Sequence, residues 1–245
     1  MNYSPILSLA TATLEIGAAA WALRGPGRRY IIQPTATLLL FLAGYQIVEA
    51  VFCTGLLPMT GQLLPRMAFV IVAWLPPTGL LLVARLYPTT SRAFHRYAFA
   101  MYAVCALLVT AIVLDRNFVS ESVCMVVFAR YTTPTTLNHF YGFFYQTGLM
   151  SMLLISAFGV TICHDDHQRL LLGQVLLGCI GFIFPALITV AVIPIAEYAL
   201  PSILCHFALV LALFLVRLVN IERKQTVNIE TQTMLPSNPL NAGVA

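Results

Sequence analysis

The chain has 245 residues, of which 60% are hydrophobic and 9% are charged, and its mean hydropathy is +0.87. This composition excludes an ordinary soluble domain and a disordered chain, because both carry a much larger share of charged residues. The formal net charge of +4 comes with no basic stripe of the kind that binds nucleic acid, so no nucleic-acid partner is predicted.

Long apolar stretches recur along the chain, and the clearest runs from Leu170 to Ala196 without any Asp, Glu, Lys or Arg. A helix needs about 20 apolar residues to cross a bilayer core of roughly 30 Å, and such a helix satisfies its own backbone groups. The sequence therefore predicts an all-α membrane bundle of about seven transmembrane helices, a single domain over residues 1–220 embedded in the lipid bilayer. The predicted spans are 4–24, 34–57, 66–86, 95–114, 138–163, 170–194 and 197–219.

The basic residues are distributed unevenly between the two sides of this predicted bundle. Ten of the thirteen Lys and Arg residues lie on one side, whereas Arg66, Arg116 and Arg130 lie on the other. Cytoplasmic loops carry the excess of positive charge in membrane proteins. We therefore expect the N-terminus outside and the C-terminus in the cytoplasm.

Two segments outside the predicted spans differ in character. Residues 115–137 form the longest connection, on the outer side, and are expected to fold as a short amphipathic helix or as a hairpin lid. Residues 221–245 are predicted to be a short, disordered cytoplasmic tail, because they are polar and rich in turn-forming residues.

Several short motifs together resemble a known membrane module. The third predicted helix contains Arg66–Phe69, Leu75–Pro77 and Arg85–Pro88, and the sixth contains Arg169–Gly173 and Pro185. In this order they resemble the seven-helix sensory module at the amino end of bacterial histidine kinases and diguanylate cyclases. The resemblance implies a sensor in the cytoplasmic (inner) membrane of a bacterium. No kinase or cyclase domain follows the last predicted helix, so the output is expected to pass to a partner or to the tail.

Ionisable side chains inside the predicted spans are the first candidates for function. Each costs about 2.5–3.5 kcal/mol at the centre of a helix on insertion scales, so such residues tend to be functional. They are Glu15 in the first helix, Glu49 in the second and His206 in the seventh.

Helical spacing adds neighbours to these residues. Tyr45 lies one turn before Glu49, and His139 shares a face with Gln146. Trp74 precedes Pro76 and Pro77, which predict a kink in the third helix. Most of these groups fall in the outer half of the membrane, which predicts one polar, outward-facing pocket. Its candidate lining residues are Glu15, Tyr45, Glu49, Trp74, His139, Gln146 and His206.

Three interpretations of the polar residues remain open from the sequence. They could be interhelical hydrogen-bond struts, which are frequent and individually weak. They could line a pocket for a small or lipophilic ligand, or they could form a path for protons or ions.

Cysteine and histidine patterns give two further hypotheses. Cys53 and Cys124 are both expected on the oxidising outer side, so a disulfide between them is considered, with two unrelated thiols as the alternative. The cluster His164, Asp165, Asp166 and His167 has the residue types of a metal site. It occupies a predicted turn that must be polar in any case, so no metal and no cofactor are predicted.

Three classes of function follow from these observations. The first is a sensory or binding module that recognises a small or lipophilic ligand and acts through a membrane-protein partner or a homo-oligomer. The second is a non-enzymatic accessory subunit of a larger membrane complex. The third is a transporter or intramembrane enzyme, although no catalytic motif occurs in the chain and an enzyme is not expected. A retinal protein is excluded, because the last predicted helix has no Lys for a Schiff base.

Overall fold

A computed structural model describes residues 5–55, 62–87, 92–125, 129–133, 136–192 and 200–234. Within these ranges, helices long and apolar enough to cross a membrane occur seven times. The length and composition of these helices indicate an integral membrane protein, and the predicted helical bundle is confirmed. The elements are α1 (Ile6–Arg24), α2 (Arg29–Thr54), α3 (Leu63–Ala73), α4 (Leu75–Leu86), α5 (Arg92–Leu114), β1 (Glu121–Cys124), β2 (Ala129–Thr132), α6 (Thr136–Ile162), α7 (Asp166–Val192) and α8 (Leu200–Met234).

The second span is longer than predicted because α2 begins at Arg29 rather than at residue 34. Pro34 lies inside the helix and has no N–H for the carbonyl of Tyr30, four residues earlier. The side chain of Arg85 fills that gap, since its Nη1 donates to the Tyr30 carbonyl oxygen at 2.8 Å. A side chain from another helix thus lets the proline be accommodated.

The third span consists of α3 and α4, which meet at Trp74. Pro77 cannot bond the carbonyl of Ala73, and the Cys105 thiol of α5 donates to that oxygen at 3.1 Å. The proline pair therefore produces the predicted bend, and the neighbouring helix satisfies the carbonyl that the bend leaves free.

The long connection between α5 and α6 contains a two-stranded antiparallel hairpin. β1 pairs with β2 in the register Glu121 to Thr132 and Cys124 to Ala129. Ala129 and Tyr131 of β2 are buried, whereas β1 is the more exposed strand. Because alternate residues of a strand point to opposite faces, one face of β2 packs on the helices and covers that end of the bundle.

We call the end with the hairpin the hairpin end, and the other end, which holds the turn between α1 and α2, the arginine-rich end. The core between them is apolar and continuous from α1 to α8. The contacts between helices are most extensive for the pair α7 and α8 and for the pair α1 and α2. α5 is the least buried of the spanning helices.

The predicted disordered tail is wrong for its first part, because α8 continues as a helix to Met234. Glu222 and Arg223 of this extension are tied to other elements. The Arg223 guanidinium lies over the Trp21 ring, 3.9 Å from its centroid, and donates to the Trp21 carbonyl oxygen. These tertiary contacts stabilise a polar helical segment that composition alone predicts to be unfolded. The rest of the predicted tail, 235–245, lies outside the described residues.

Candidate functional site: a buried polar cluster beneath the hairpin

Polar side chains from two helices, α2 and α8, are buried together at the hairpin end of the bundle. On α2, Tyr45, Gln46 and Glu49 lie on the face turned towards the core. The 3.6-residue period of the helix places Tyr45 and Glu49 one turn apart, with Gln46 beside them. We call these residues, with the buried Ser202 and Cys205 of α8, the polar cluster.

A direct hydrogen bond connects the cluster across the two helices. The Gln46 Nε2 donates to the backbone carbonyl oxygen of Cys205 at 2.7 Å. Tyr45, Gln46 and Glu49 of α2 and Ser202 and Cys205 of α8 are all buried. The cluster thus places phenol, amide, carboxyl, hydroxyl and thiol groups in the apolar core.

The hairpin covers this cluster. The Ala129 N–H donates to the Ser202 Oγ at 3.2 Å, and the hydroxyl oxygens of Tyr131 and Tyr45 are 3.5 Å apart. A disulfide joins Cys53 at the end of α2 to Cys124 of β1, with 5.6 Å between their Cα atoms. The pairing that the sequence left open therefore fastens the hairpin to the helix that carries Tyr45 and Glu49.

An aromatic group supports the hairpin from the side of α3 and α6. The Phe69 ring packs edge-on against Phe118, Tyr131 and Tyr141, with centroid distances of 5.2–5.3 Å. Such arrangements contribute about 0.5–1.5 kcal/mol per pair beyond the buried area. The hairpin is thus held over the cluster by packing as well as by the disulfide.

Glu15, on α1, is a further buried polar residue, and it differs from the polar cluster in its bonding. It is 1% exposed, and neither carboxyl oxygen accepts a hydrogen bond from any described residue. The Gln46 Oε1 is also buried without a partner in the part of the chain that the structure describes. One side chain on α1 and one on α2 therefore hold buried oxygens that no described residue satisfies.

The remaining predicted pocket residues are not gathered at one point. His206 is half-buried, and its Nδ1–H donates to the Ser202 carbonyl oxygen at 2.7 Å, one turn earlier on α8. Trp74 is half-buried at the junction of α3 and α4, with its ring 6.0 Å from that of Tyr102. His139 and Gln146 share an exposed face of α6, so the structure does not bring them to the polar cluster.

Sequence reasoning missed several members of the site. Cys205 has no predicted role, and nothing in its own helix indicates that its carbonyl oxygen accepts a bond from Gln46. Tyr131 belongs to the hairpin, and its approach to Tyr45 depends on strand register and on the position of the disulfide. Tyr141 and Tyr145 form a buried, stacked pair on α6. The spacing of four residues between these tyrosines, a helix-face signal, could have indicated a buried pair.

The arginine-rich end contains a second, separate group of polar residues. Glu222 is 1% exposed and accepts hydrogen bonds from the Arg28 backbone N–H at 3.3 Å, from Arg28 Nε, from Arg28 Nη2 at 2.7 Å and from His167 Nε2 at 3.1 Å. The bonds to Glu222 raise the pKa of the Arg28 guanidinium. This arrangement connects the turn before α2 with the start of α7 and with α8.

The four candidate metal ligands, His164, Asp165, Asp166 and His167, do not share one site, because they have different partners or are exposed. His167 binds Glu222, and Asp166 pairs with Arg169 at 2.7 Å, while His164 and Asp165 are exposed in the turn. Across the described residues, no group of three or more His, Cys, Asp or Glu side chains is arranged to hold a metal ion.

Comparison of the chain with known protein families, with curated proteins and with solved structures finds no match.

Proposed function

We propose that this chain is an integral membrane binding module that recognises a small or lipophilic ligand at the polar cluster and passes the signal to a partner protein. The observation that carries the proposal is the hairpin, which is bonded to Ser202 through Ala129 and fastened by a disulfide to the helix bearing Tyr45 and Glu49. Buried polar groups beneath a covering segment on a rigid scaffold are typical of small-molecule sites.

The proposed orientation places the hairpin end outside a bacterial cytoplasmic membrane. The excess of Lys and Arg at the other end supports this, since cytoplasmic loops carry the positive charge. The disulfide supports it as well, because disulfides persist in oxidising compartments. In this orientation the hairpin that covers the polar cluster faces outside, and α8 carries its polar extension into the cytoplasm.

The binding proposal is tested by native mass spectrometry of the protein purified in mild detergent from its own membranes. We expect wild type to retain a bound small molecule or lipid, and Glu49→Gln and Tyr45→Phe to lose most of it while eluting as folded protein. His139→Gln is the matched control, since His139 is exposed on α6, and it should retain the molecule. Equal retention in all four proteins, or none in wild type, overturns the proposal.

A second candidate function, a non-enzymatic subunit of a larger membrane complex, is favoured by a different observation. An apolar groove of about 540 Å³ runs between α5 and α6 on the surface of the bundle. Leu107, Phe140 and Phe143 line it and are strongly exposed. Apolar surface on a membrane-spanning helix faces lipid by default, and a groove of this size is also compatible with a partner helix packed into it.

The two functions are separated by co-purification. An accessory subunit retains its partner when Glu49 is changed to Gln and loses the partner when Phe143 is changed to Ala. A binding module gives the opposite result for its bound molecule, because Phe143 lies on the groove and not at the polar cluster.

A further inference from the structure

Glu15 lies at the centre of a spanning helix. It is nine residues from either end of α1, which corresponds to about 14 Å at 1.5 Å per residue. Its side chain is 1% exposed, and both carboxyl oxygens lack a hydrogen-bond donor among the described residues. The interpretation of Glu15 as an interhelical strut requires such a donor, so that interpretation has no support here.

An unpaired carboxylate at this depth is unfavourable. A charged Asp or Glu at the middle of a membrane helix costs about 2.5–3.5 kcal/mol on insertion scales. Burial in a medium of low dielectric constant favours the neutral form of a carboxyl group. Glu15 therefore needs a positive charge, which is either a proton on the carboxyl or a cation beside it.

The surroundings of Glu15 specify the chemistry of that charge. α1 packs against α2 and α8, and Gln46 is fixed by its bond to the Cys205 carbonyl oxygen with its own Oε1 left free. The Glu15 carboxyl is likewise a free oxygen ligand, because neither of its oxygens has a hydrogen-bond donor among the described residues. Free carboxyl and amide oxygens suit protons and hard cations, whereas softer metals prefer imidazole and thiolate ligands.

We propose that Glu15 binds one monovalent cation in the core of the bundle, either a proton or an alkali-metal ion. The site would give this protein a response to pH or to Na⁺ or K⁺ that does not require the organic ligand of the proposed function. The two helices packed against α1 carry titratable and charged residues that any such response has to be separated from. They are Arg29, Tyr30, Tyr45, Glu49, Cys205, His206, Arg217, Glu222, Arg223, Lys224 and Glu230.

The experiment is infrared spectroscopy of the purified full chain in lipid nanodiscs at neutral pH, without any organic ligand. The carbonyl stretching band of a protonated carboxylic acid is recorded in choline chloride and then along series of increasing NaCl and KCl. Wild type is compared with Glu15→Gln, and Glu49→Gln is the control for the other buried glutamate of this region.

If the band is present in wild type, does not respond to salt and is weaker in Glu15→Gln by the intensity of one carboxyl group, the cation is a proton. If the band is present in choline chloride and disappears as the Na⁺ or K⁺ concentration rises, and Glu15→Gln shows no such response, the cation is an alkali-metal ion. If wild type and Glu15→Gln give the same spectra in every series, the proposal is overturned. If Glu15→Gln fails to fold, Glu15→Asp serves instead, because it should shift the frequency of the band rather than remove it.

Discussion

At the residue scale, Glu222 shows how a buried charge is accommodated in this bundle. Its two carboxylate oxygens accept four hydrogen bonds, three from Arg28 and one from His167. Buried charges are tolerated when they are paired and when their remaining lone pairs are satisfied. Glu15 has neither kind of partner among the described residues, and for this reason the two glutamates are assigned different roles.

Removal of Arg28 should therefore leave a buried carboxylate without its main partner. We expect Arg28→Ala to lower the free energy of unfolding by about 3 kcal/mol, near the low end for a broken buried ion pair, because the Arg28 side chain is 35% exposed. The change is measured by unfolding in mixed detergent micelles. Arg24→Ala is the matched control, since Arg24 is an exposed arginine at the same end of the bundle, and its effect should stay within about 0.5 kcal/mol. Equal losses in the two variants would show that the Glu222 contact contributes nothing.

At the element scale, close approach between helices depends on small residues at particular positions. Gly148 of α6 faces the bend between α3 and α4, where an added Cβ would lie 2.4 Å from the Pro76 Cβ and 3.2 Å from the Met101 Cε. Pro76 is part of a rigid ring, so it cannot move aside as a flexible side chain would. Gly142, on the same helix, has open space around the corresponding position.

These two glycines form a matched pair for mutation. Gly148→Ala should destabilise the bundle by about 1–3 kcal/mol through overpacking. Gly142→Ala should be neutral or slightly stabilising, because Ala has the higher helix propensity. Both changes are measured by heating each variant and determining the remaining folded fraction by size-exclusion chromatography. A neutral Gly148→Ala would mean that α6 does not pack closely against the bend.

At the scale of the whole molecule, the two ends of the bundle are built differently. The hairpin end is closed by a disulfide-linked hairpin, and the arginine-rich end is closed by the Arg28, His167 and Glu222 contacts. α8 connects both ends. Its 35 residues span about 52 Å at 1.5 Å per residue, which exceeds a hydrocarbon core of roughly 30 Å. α8 is therefore long enough to contribute residues to both ends, with Ser202 and Cys205 at one and Glu222 at the other.

The proposed orientation gives a prediction at this scale. In intact cells a membrane-impermeant maleimide should label Asn117→Cys, which is exposed at the hairpin end. The same reagent should label Lys224→Cys, exposed at the other end, only after the cells are permeabilised. Wild type is the background control, because the four cysteines outside the disulfide are buried. The reverse labelling pattern would place the arginine-rich end outside.

Predictions from the sequence were correct where the structure of a segment depends on that segment alone, and they failed where it depends on contacts with other helices. The spans were recognisable because each helix must satisfy its own backbone groups in hydrocarbon, whatever its neighbours are. The predicted start of α2, at residue 34, is five residues too late. The helix continues through Pro34, where the Arg85 side chain from another helix donates to the Tyr30 carbonyl oxygen that the proline leaves free. The same limit applied to the tail, where contacts of Glu222 and Arg223 keep α8 helical.

The site was only partly predictable for the same reason. Tyr45 and Glu49 were found because one turn of a helix relates them. His139 and Gln146 satisfy the same spacing rule but face outwards, since spacing gives a shared face without saying which way that face turns. Cys205 and Tyr131 join the cluster from α8 and from the hairpin, which no local pattern connects.

The sequence by itself determined the helical bundle and its stretches long and apolar enough to cross a membrane, because hydrophobic length is a local property of each helix. Only the tertiary structure decided which polar groups are buried together, which of them the protein satisfies and which end carries the disulfide-linked cover. Those outcomes depend on how the helices rotate and pack against one another, and that packing joins residues far apart in the chain, as Arg28 and Glu222 or Gln46 and Cys205 show.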